Sequence, residues 1–138
     1  MNNPLRITRA AELESIAAFR DFIDGACQRA QIDAQSCYDM KLAIDEACTN
    51  VITHGYAGMN PGSIMLELDL RPTRVIMTLT DFGHPFEPYE PEKPDLSGEL
   101  AGGFGLYLIY RVMDAVDYQT TEEGNRLILT KQLTQIAA

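Results

Sequence analysis

The chain has 138 residues, with 11 lysines and arginines against 20 aspartates and glutamates, which gives a net charge of −9. Its 46% hydrophobic content is that of a globular protein, and the length predicts a single domain over residues 1–138. The negative charge disfavours binding to nucleic acid. There is no apolar run long enough to span a membrane and no signal-peptide core at the start. We therefore expect one cytoplasmic domain, and the odd number of cysteines fits a reduced chain: Cys27, Cys37 and Cys48.

The first part of the chain predicts a strand followed by two helices. Residues Leu5–Arg9 alternate between apolar and polar side chains, as in a strand. Between Ala11 and Ala30, apolar residues recur every three or four positions, which is typical of an amphipathic helix. We expect a second helix, which Asp33 or Ser36 can cap, to run to about His54.

The second part predicts four strands and a third helix. Strands are expected at 64–70 and 75–80, joined by a hairpin, and at 116–121 and 126–133, joined by a turn at 123–125. A helix is expected at 104–113. This order of elements predicts an α+β two-layer sandwich, in which helices cover one face of a mainly antiparallel sheet.

A long loop separates the third predicted strand from the third helix. Residues 85–103 contain four prolines and show no periodicity. A loop of this length inside so small a domain is usually functional, so we expect it to act as a lid. It is also acidic, since Lys93 is its only cation against five carboxylates: Glu87, Glu90, Glu92, Asp95 and Glu99.

Three segments carry residues suited to chemistry, and the first lies on the second predicted helix. Glu46, Asn50 and His54 are spaced by four, so they follow one another along one helix face. The Asn50 amide oxygen is a hard ligand suited to magnesium, and a carboxylate beside metal-bound phosphate can accept a proton from an attacking hydroxyl. The same spacing also fits a solvent-facing polar stripe, and His54 fits a residue that caps the last carbonyls of the helix.

The second segment runs from Asp81 to Phe86, directly after a predicted strand. The Asp81 carboxylate can accept a hydrogen bond from an exocyclic amine, as adenine carries. Gly83 would allow a flat ring to lie against the backbone. An Asp-x-Gly sequence also occurs in many simple turns, so this segment alone leaves both interpretations open.

The third segment, Gly102-Gly103-Phe104-Gly105-Leu106, closes the lid and opens a helix. Glycines at a helix N-terminus expose backbone N–H groups that can bind phosphate. The segment lacks the Lys-Ser/Thr ending of a P-loop and the third glycine of a dinucleotide fingerprint. A flexible hinge remains an equal alternative.

Together, in this order around one lid, the three segments have the layout of the ATP-binding fold of gyrase-type, Hsp90-type and histidine kinases. Residues 45–56, 81–88 and 102–109 resemble the anti-sigma-factor serine kinases of bacteria, and residues 124–131 resemble their last strand. This resemblance covers nearly the whole chain. It implies a protein that uses ATP and Mg²⁺.

The resemblance also implies a role for individual residues. Asn50 would hold magnesium, Glu46 would be the general base, and Asp81 with Gly83 would hold adenine. The remaining nucleotide contacts would come from His54, Phe86, Gly102, Gly103, Phe104, Gly105, Leu106 and Thr130, with the last of these near the adenine.

Three functions follow as hypotheses. The resemblance favours a serine/threonine kinase that phosphorylates a STAS-type anti-sigma-factor antagonist, binds a sigma factor and forms a homodimer. The acidic lid favours an ATP-dependent binding module with little or no transfer, because phosphoryl transfer needs positive charge near the moving phosphate. A detached histidine-kinase ATPase domain is disfavoured, since no helix with a phospho-accepting histidine precedes the ATP-binding segments.

Overall fold

The computed structural model of the chain describes residues 4–85 and 103–133. The predicted lid residues 86–102 lie outside this part. The elements in chain order are β1 Leu5–Ala10, α1 Ser15–Ala30, α2 Ala34–Asn50, a π-helical turn Val51–Gly55, β2 Ser63–Leu70, β3 Arg74–Asp81, α3 Gly103–Val112, β4 Ala115–Thr121 and β5 Gly124–Gln132. Within the described residues, no helix is long and apolar enough to cross a membrane.

The strands form one sheet with the order β1-β2-β3-β5-β4, in which all neighbours are antiparallel. The predicted α+β sandwich is confirmed. Because β5 lies beside β3, the end of β3 meets the start of β5, and Asp81 stands opposite Asn125. On the other side of β3, Asp81 stands opposite Ile64 of β2. The residues around Asp81 and Asn125 therefore lie together at one end of the sheet.

A single apolar core joins the helices to one face of the sheet. Side chains alternate along a strand, so that Leu66 of β2 and Leu79 of β3 share the inner face. The largest fully buried side chains of the helices pack against this face: Phe19, Ile23, Met40, Ile44 and Ile109. The three cysteines lie in the same core and are unpaired. Burial raises the pKa of their thiols, so they stay protonated.

The beginning of α1 differs from its prediction. The helix begins at Ser15 and not at Ala11, because the Ala11 N–H donates to the Gly62 carbonyl and thereby extends the β1–β2 pairing. The start of α2 agrees with one of the two predicted caps, since the Asp33 side chain accepts a hydrogen bond from the Ser36 N–H at 2.9 Å.

The end of the second helix is not regular α-helix. After Asn50 the chain makes one π-helical turn, in which the Tyr56 N–H donates to the Val51 carbonyl, five residues earlier. Such turns occur often at functional sites because they rotate the residues that follow. Apolar periodicity does not distinguish a π-turn from the last turn of an α-helix, so the sequence predicted one continuous helix.

The turn between the last two strands lies earlier than predicted. Glu122 and Glu123 form it, and β5 already begins at Gly124. Gly124 has a φ of +120°, a backbone conformation that residues with a side chain rarely adopt. This shift moves Asn125 from the predicted turn into the strand.

Lys131 of β5 connects two helices at the end of the sheet that lies away from Asp81. Its ammonium group lies 2.8 Å from the Asp39 carboxylate of α2, and donates to the Val112 carbonyl at the C-terminus of α3 at 2.6 Å. The Lys131 and Asp39 side chains are only 14% and 13% exposed. Removing one member of an ion pair that is so shielded from solvent destabilises the protein strongly, because the other member is left as an uncompensated buried charge.

We expect Lys131→Met to lower the free energy of unfolding by about 3 kcal/mol. The matched control is Lys41→Met, because Lys41 pairs with Asp24 at 2.9 Å while their side chains are 30% and 43% exposed. A solvated pair contributes little, so this control should stay close to the wild type. Urea unfolding at neutral pH measures both. Equal losses in the two variants would contradict the structural importance given to Lys131.

Candidate functional site

The centre of the candidate site is the Asp81 carboxylate at the end of β3, which is only 3% exposed. Its Oδ1 accepts two hydrogen bonds, from the Gly83 N–H at 2.9 Å and from Asn125 Nδ2 at 3.0 Å. No hydrogen bond from a described residue reaches Oδ2. The carboxylate is therefore held by one oxygen and offers the other as an acceptor.

The surroundings of Asp81 affect its charge in opposite directions. Burial raises the pKa of the carboxyl, while the hydrogen bonds from Asn125 and Gly83 lower it, and the sum is a raised pKa. In an environment of low polarity a charged acceptor binds a donor more strongly than it does in water. Asp81 is thus suited to recognise an N–H donor on a ligand.

Asn125 is the residue of the candidate site that sequence reasoning missed. Besides its bond to Asp81, its Nδ2 donates to the Gly83 carbonyl at 2.9 Å, so one side-chain amide joins both ends of the Asp81–Gly83 corner. It is 3% exposed. One sequence feature could have indicated it: Asn125 is an amide at the start of β5, the strand that pairs with β3.

The structure does not bring Thr130 to this site. Thr130 stands opposite Ile76 of β3 and Ala115 of β4. It lies five residues after Asn125 on the same strand, so the two side chains project from opposite faces of the sheet, roughly 16 Å apart along the strand. The prediction that Thr130 lies near the adenine is corrected, and Asn125 occupies the position beside Asp81.

Gly83 contacts the π-helical turn that follows α2. A side chain at Gly83 would overlap the Gly55 carbonyl, and the His84 N–H donates to the same carbonyl at 2.5 Å. A Cβ at Gly55 would in turn lie 3.8 Å from Asp81 Oδ1. Glycine at position 83 is thus required by the approach of two backbones, a reason different from the predicted contact with a flat ring. The contact joins the Asp81 corner to the helix that carries Asn50.

Asn50 is the last residue of α2 and is 8% exposed. None of the described residues hydrogen-bonds to its side-chain amide, so the group is buried and still available to a ligand. Glu46, one turn earlier, is half-buried. The neighbouring Asp45 is engaged by Arg20, whose Nε lies 2.8 Å from both carboxylate oxygens. The row of polar residues on α2 is therefore more than a solvent-facing stripe, at least at Asn50.

The residues fit a magnesium ion bound together with phosphate, not a cage made by the protein. Among the described residues, no group of three or more His, Cys, Asp or Glu side chains could hold a metal. Magnesium commonly binds through one or two protein oxygens and completes its shell with water and substrate phosphates. The available Asn50 amide matches that requirement.

The other predicted site residues are placed as follows. His54 lies in the π-helical turn with an exposed side chain. Residues 103–106 form the first turn of α3, the helix that packs against α2. The first N–H groups of a helix have no acceptor within the helix itself. Phe86 and Gly102 lie outside the described residues.

Comparison with known proteins places the chain among ATPases and kinases. A family model for the histidine kinase-like ATPase domain matches residues 9–131. The serine-protein kinase RsbW of Bacillus velezensis is 31% identical over an alignment that covers 89% of this chain and 81% of that protein. The serine-protein kinase RsbW of Listeria innocua is 27% identical over an alignment that covers 98% of this chain and 90% of that protein.

Two solved structures share the fold. The RsbU and RsbW domains of a Mycobacterium tuberculosis protein match with a TM-score of 0.73 and 20% identity over 99% of this chain, which corresponds to 34% of that longer chain. The histidine kinase domain of an Erythrobacter litoralis blue-light activated histidine kinase matches with a TM-score of 0.58 and 12% identity, over 88% of this chain and 60% of that chain. At these identities the match shows the fold alone.

We expect Asp81→Asn to be at least as stable as the wild type at pH 7, because an amide oxygen can accept the same two hydrogen bonds without burying a charge. Burial raises the pKa of Asp81 in the folded state. The wild type therefore gains stability relative to the variant as the pH falls from that raised pKa to the ordinary value of about 3.9. Urea unfolding at pH 7 and pH 4 measures the difference.

The control for this measurement is Asp117→Asn, since Asp117 is exposed on β4. Its stability relative to the wild type should change little between the two pH values. A variant at Asp81 that is less stable than the wild type at pH 7 would show that the buried charge is better compensated than its surroundings indicate.

Proposed function

Because the chain belongs to the histidine kinase-like ATPase domain family, and within it to the anti-sigma-factor serine kinases, we propose that it binds ATP with Mg²⁺ and transfers the γ-phosphate to a serine or threonine of an anti-sigma-factor antagonist. The observation that carries this proposal is the buried Asp81 carboxylate with one free oxygen, joined through Gly83 and Gly55 to the helix of Asn50. A base-recognising group and a metal-ligating group thus belong to one packed unit.

Adenine recognition is assigned to Asp81. Its free Oδ2 would accept a hydrogen bond from the exocyclic amine, while Asn125 and the Gly83 N–H hold the other oxygen. A base with a carbonyl at that position would present a second acceptor to the carboxylate and would be rejected, since the carboxylate would lose its donor.

Phosphate binding and proton transfer are assigned to α2 and α3. The N–H groups at the start of α3 would hold phosphate oxygens, and the Asn50 amide oxygen would hold magnesium, which when bound neutralises and aligns the phosphates. Glu46, one turn before Asn50, would accept the proton of the attacking hydroxyl. Asp45 is less suited to this task because it already binds Arg20.

The proposed partners follow from the family. They are a STAS-type antagonist as phosphate acceptor, a sigma factor and a second copy of this chain in a homodimer, all in the cytoplasm. The net charge of −9 supports protein partners over nucleic acid. The similar proteins named serine-protein kinase support a serine as the acceptor.

A second candidate function is ATP-dependent partner binding with little or no transfer. Phosphoryl transfer needs positive charge close to the moving phosphate, and Arg111 is exposed in the last turn of α3, at the opposite end from Gly103. Six described cations form ion pairs with carboxylates: Arg6, Arg20, Lys41, Arg71, Arg126 and Lys131.

Asn50→Ala is expected to weaken ATP binding about tenfold in the presence of magnesium, since one ligand to a charged ion is lost. In EDTA the variant and the wild type should bind ATP alike. Isothermal titration calorimetry measures both conditions. Asn60→Ala is the matched control, because Asn60 is exposed in the loop before β2. Unchanged magnesium-dependent affinity in Asn50→Ala would contradict the metal assignment.

Glu46→Gln is expected to keep ATP binding and to lose about 10²- to 10⁴-fold in transfer rate, the usual contribution of a general base. The assay combines labelled ATP, magnesium and a purified STAS-type antagonist. Glu12→Gln, which changes an exposed carboxylate before α1, serves as the control. Transfer by Glu46→Gln at the wild-type rate would contradict the base assignment, whereas ATP-dependent binding without transfer by the wild type would favour the second candidate function.

A further inference from the structure

The Tyr56 hydroxyl lies between the start of β2 and the end of β3. It donates a hydrogen bond to the Ser63 carbonyl at 2.9 Å and accepts one from the Phe82 N–H at 3.0 Å. The tyrosine is 6% exposed. A single phenol therefore satisfies one backbone acceptor and one backbone donor from two neighbouring strands.

These two backbone groups belong to the next position of the β2–β3 ladder. The last paired residues are Ile64 and Asp81, and the antiparallel register brings Ser63 opposite Phe82. If the ladder continued, the Phe82 N–H would bond directly to the Ser63 carbonyl. The phenol takes up this space instead, so the pairing of the two strands ends at Asp81.

The position of the phenol is fixed from both of its ends. At the backbone end, the π-helical turn places Tyr56 through its N–H bond to the Val51 carbonyl at 3.0 Å. At the hydroxyl end, Gly62 lies so close that an added Cβ would be 2.8 Å from the phenolic oxygen. The hydroxyl is held there by its bonds to both strands, and a side chain at position 62 would displace it.

We propose that Tyr56 is a positioning residue that determines base specificity, because its hydroxyl holds β2 and β3 apart and so sets the place of the Asp81–Gly83 corner. This inference rests on the proposed ATP-binding function and deepens it. Tyr56 acts through Phe82 and Gly83: the Phe82 N–H bonds to the phenol, and the next N–H along the chain, that of Gly83, holds Asp81 Oδ1.

Loss of the hydroxyl has two possible structural results, and both displace the corner. Either the Phe82 N–H and the Ser63 carbonyl lose the phenol as their partner, so that the bond that holds the corner through Phe82 is absent, or they bond to each other and the strands close by one more pair. In the second case Phe82 moves toward β2 and draws Gly83 away from Gly55. The free oxygen of Asp81 then no longer meets the exocyclic amine in the same geometry.

The experiment compares the affinity for ATP with that for inosine triphosphate, which carries a carbonyl where adenine carries its amine. Tyr56→Phe removes the hydroxyl, and Gly62→Ala displaces it without removing it. We expect each variant to reduce the preference for ATP over inosine triphosphate by about tenfold, the loss of one hydrogen bond to a charged group. A general loss of stability would lower both affinities and leave their ratio unchanged.

Each variant has a matched control in this chain. Tyr38→Phe removes the hydroxyl of an exposed tyrosine on α2, and Gly25→Ala adds a Cβ in α1 at an ordinary 3.8 Å from Arg29. Both should keep the wild-type ratio. Thermal unfolding of every variant shows which ones are folded at the temperature of titration, and Gly62→Ala keeps the test available if Tyr56→Phe does not fold.

The outcomes separate the two proposals. A wild-type ratio in folded Tyr56→Phe and Gly62→Ala, alongside ATP binding by the wild type, overturns the role of Tyr56 and leaves the proposed function intact. A wild-type protein that binds neither nucleotide overturns both. A reduced ratio in the two variants and an unchanged ratio in both controls supports Tyr56 as the residue that positions the base-recognising corner.

Discussion

The hydrogen bond between Asp81 and Asn125 is the interaction on which the candidate site depends. It joins the end of β3 to the start of β5 at 3.0 Å, in a place that excludes nearly all solvent. Burial there penalises the carboxylate charge, and the Asn125 amide with the Gly83 N–H offsets part of that penalty. Both donors bind Oδ1, so they stabilise the charge and leave Oδ2 available as an acceptor.

The packing of two glycines extends this arrangement from the sheet to the helices. Gly83 and Gly55 approach so closely that neither backbone could be kept in place with a side chain at position 83. The π-helical turn supplies Gly55 at that point, directly after the helix that ends at Asn50. The groups proposed for the base and for the metal are therefore placed by the fold before a ligand arrives, which lowers the ordering cost of binding.

The periodicity of apolar residues was sufficient to predict the helices and strands, and tertiary contacts explain the boundaries that it did not predict. The strands, the three helices and the Asp33 cap agree with the sequence because local spacing determines them. The start of α1 depends on a bond between Ala11 and Gly62, which are far apart in sequence. A local sequence pattern cannot predict that bond. Nor can it predict the π-helical turn, because the composition of the turn is that of an α-helical end.

The site residues show the same limit more sharply. Asp81 and Asn50 could be named as candidates because a strand end and a helix row are local features. Thr130 was implied by the family resemblance, and Asn125 was missed, since alternation shows which residues of a strand share a face but not which of them stands opposite Asp81. Register is set by the hairpin, and the hairpin turn lies one residue earlier than the sequence indicated.

Nucleotide recognition and phosphoryl transfer place different demands on this chain. Recognition needs one acceptor and neutral donors, which the Asp81–Asn125 pair and the backbone around Gly83 supply. Transfer needs positive charge at the phosphates, yet the Arg20 guanidinium, which contacts α2 beside Glu46, is held by Asp45. The two demands fall on separate groups, so under the proposed function a change at α2 would alter transfer without altering the Asp81–Gly83 corner. In a protein of net charge −9, the proposed magnesium would arrive with the nucleotide and supply part of the positive charge that six described cations commit to ion pairs with carboxylates.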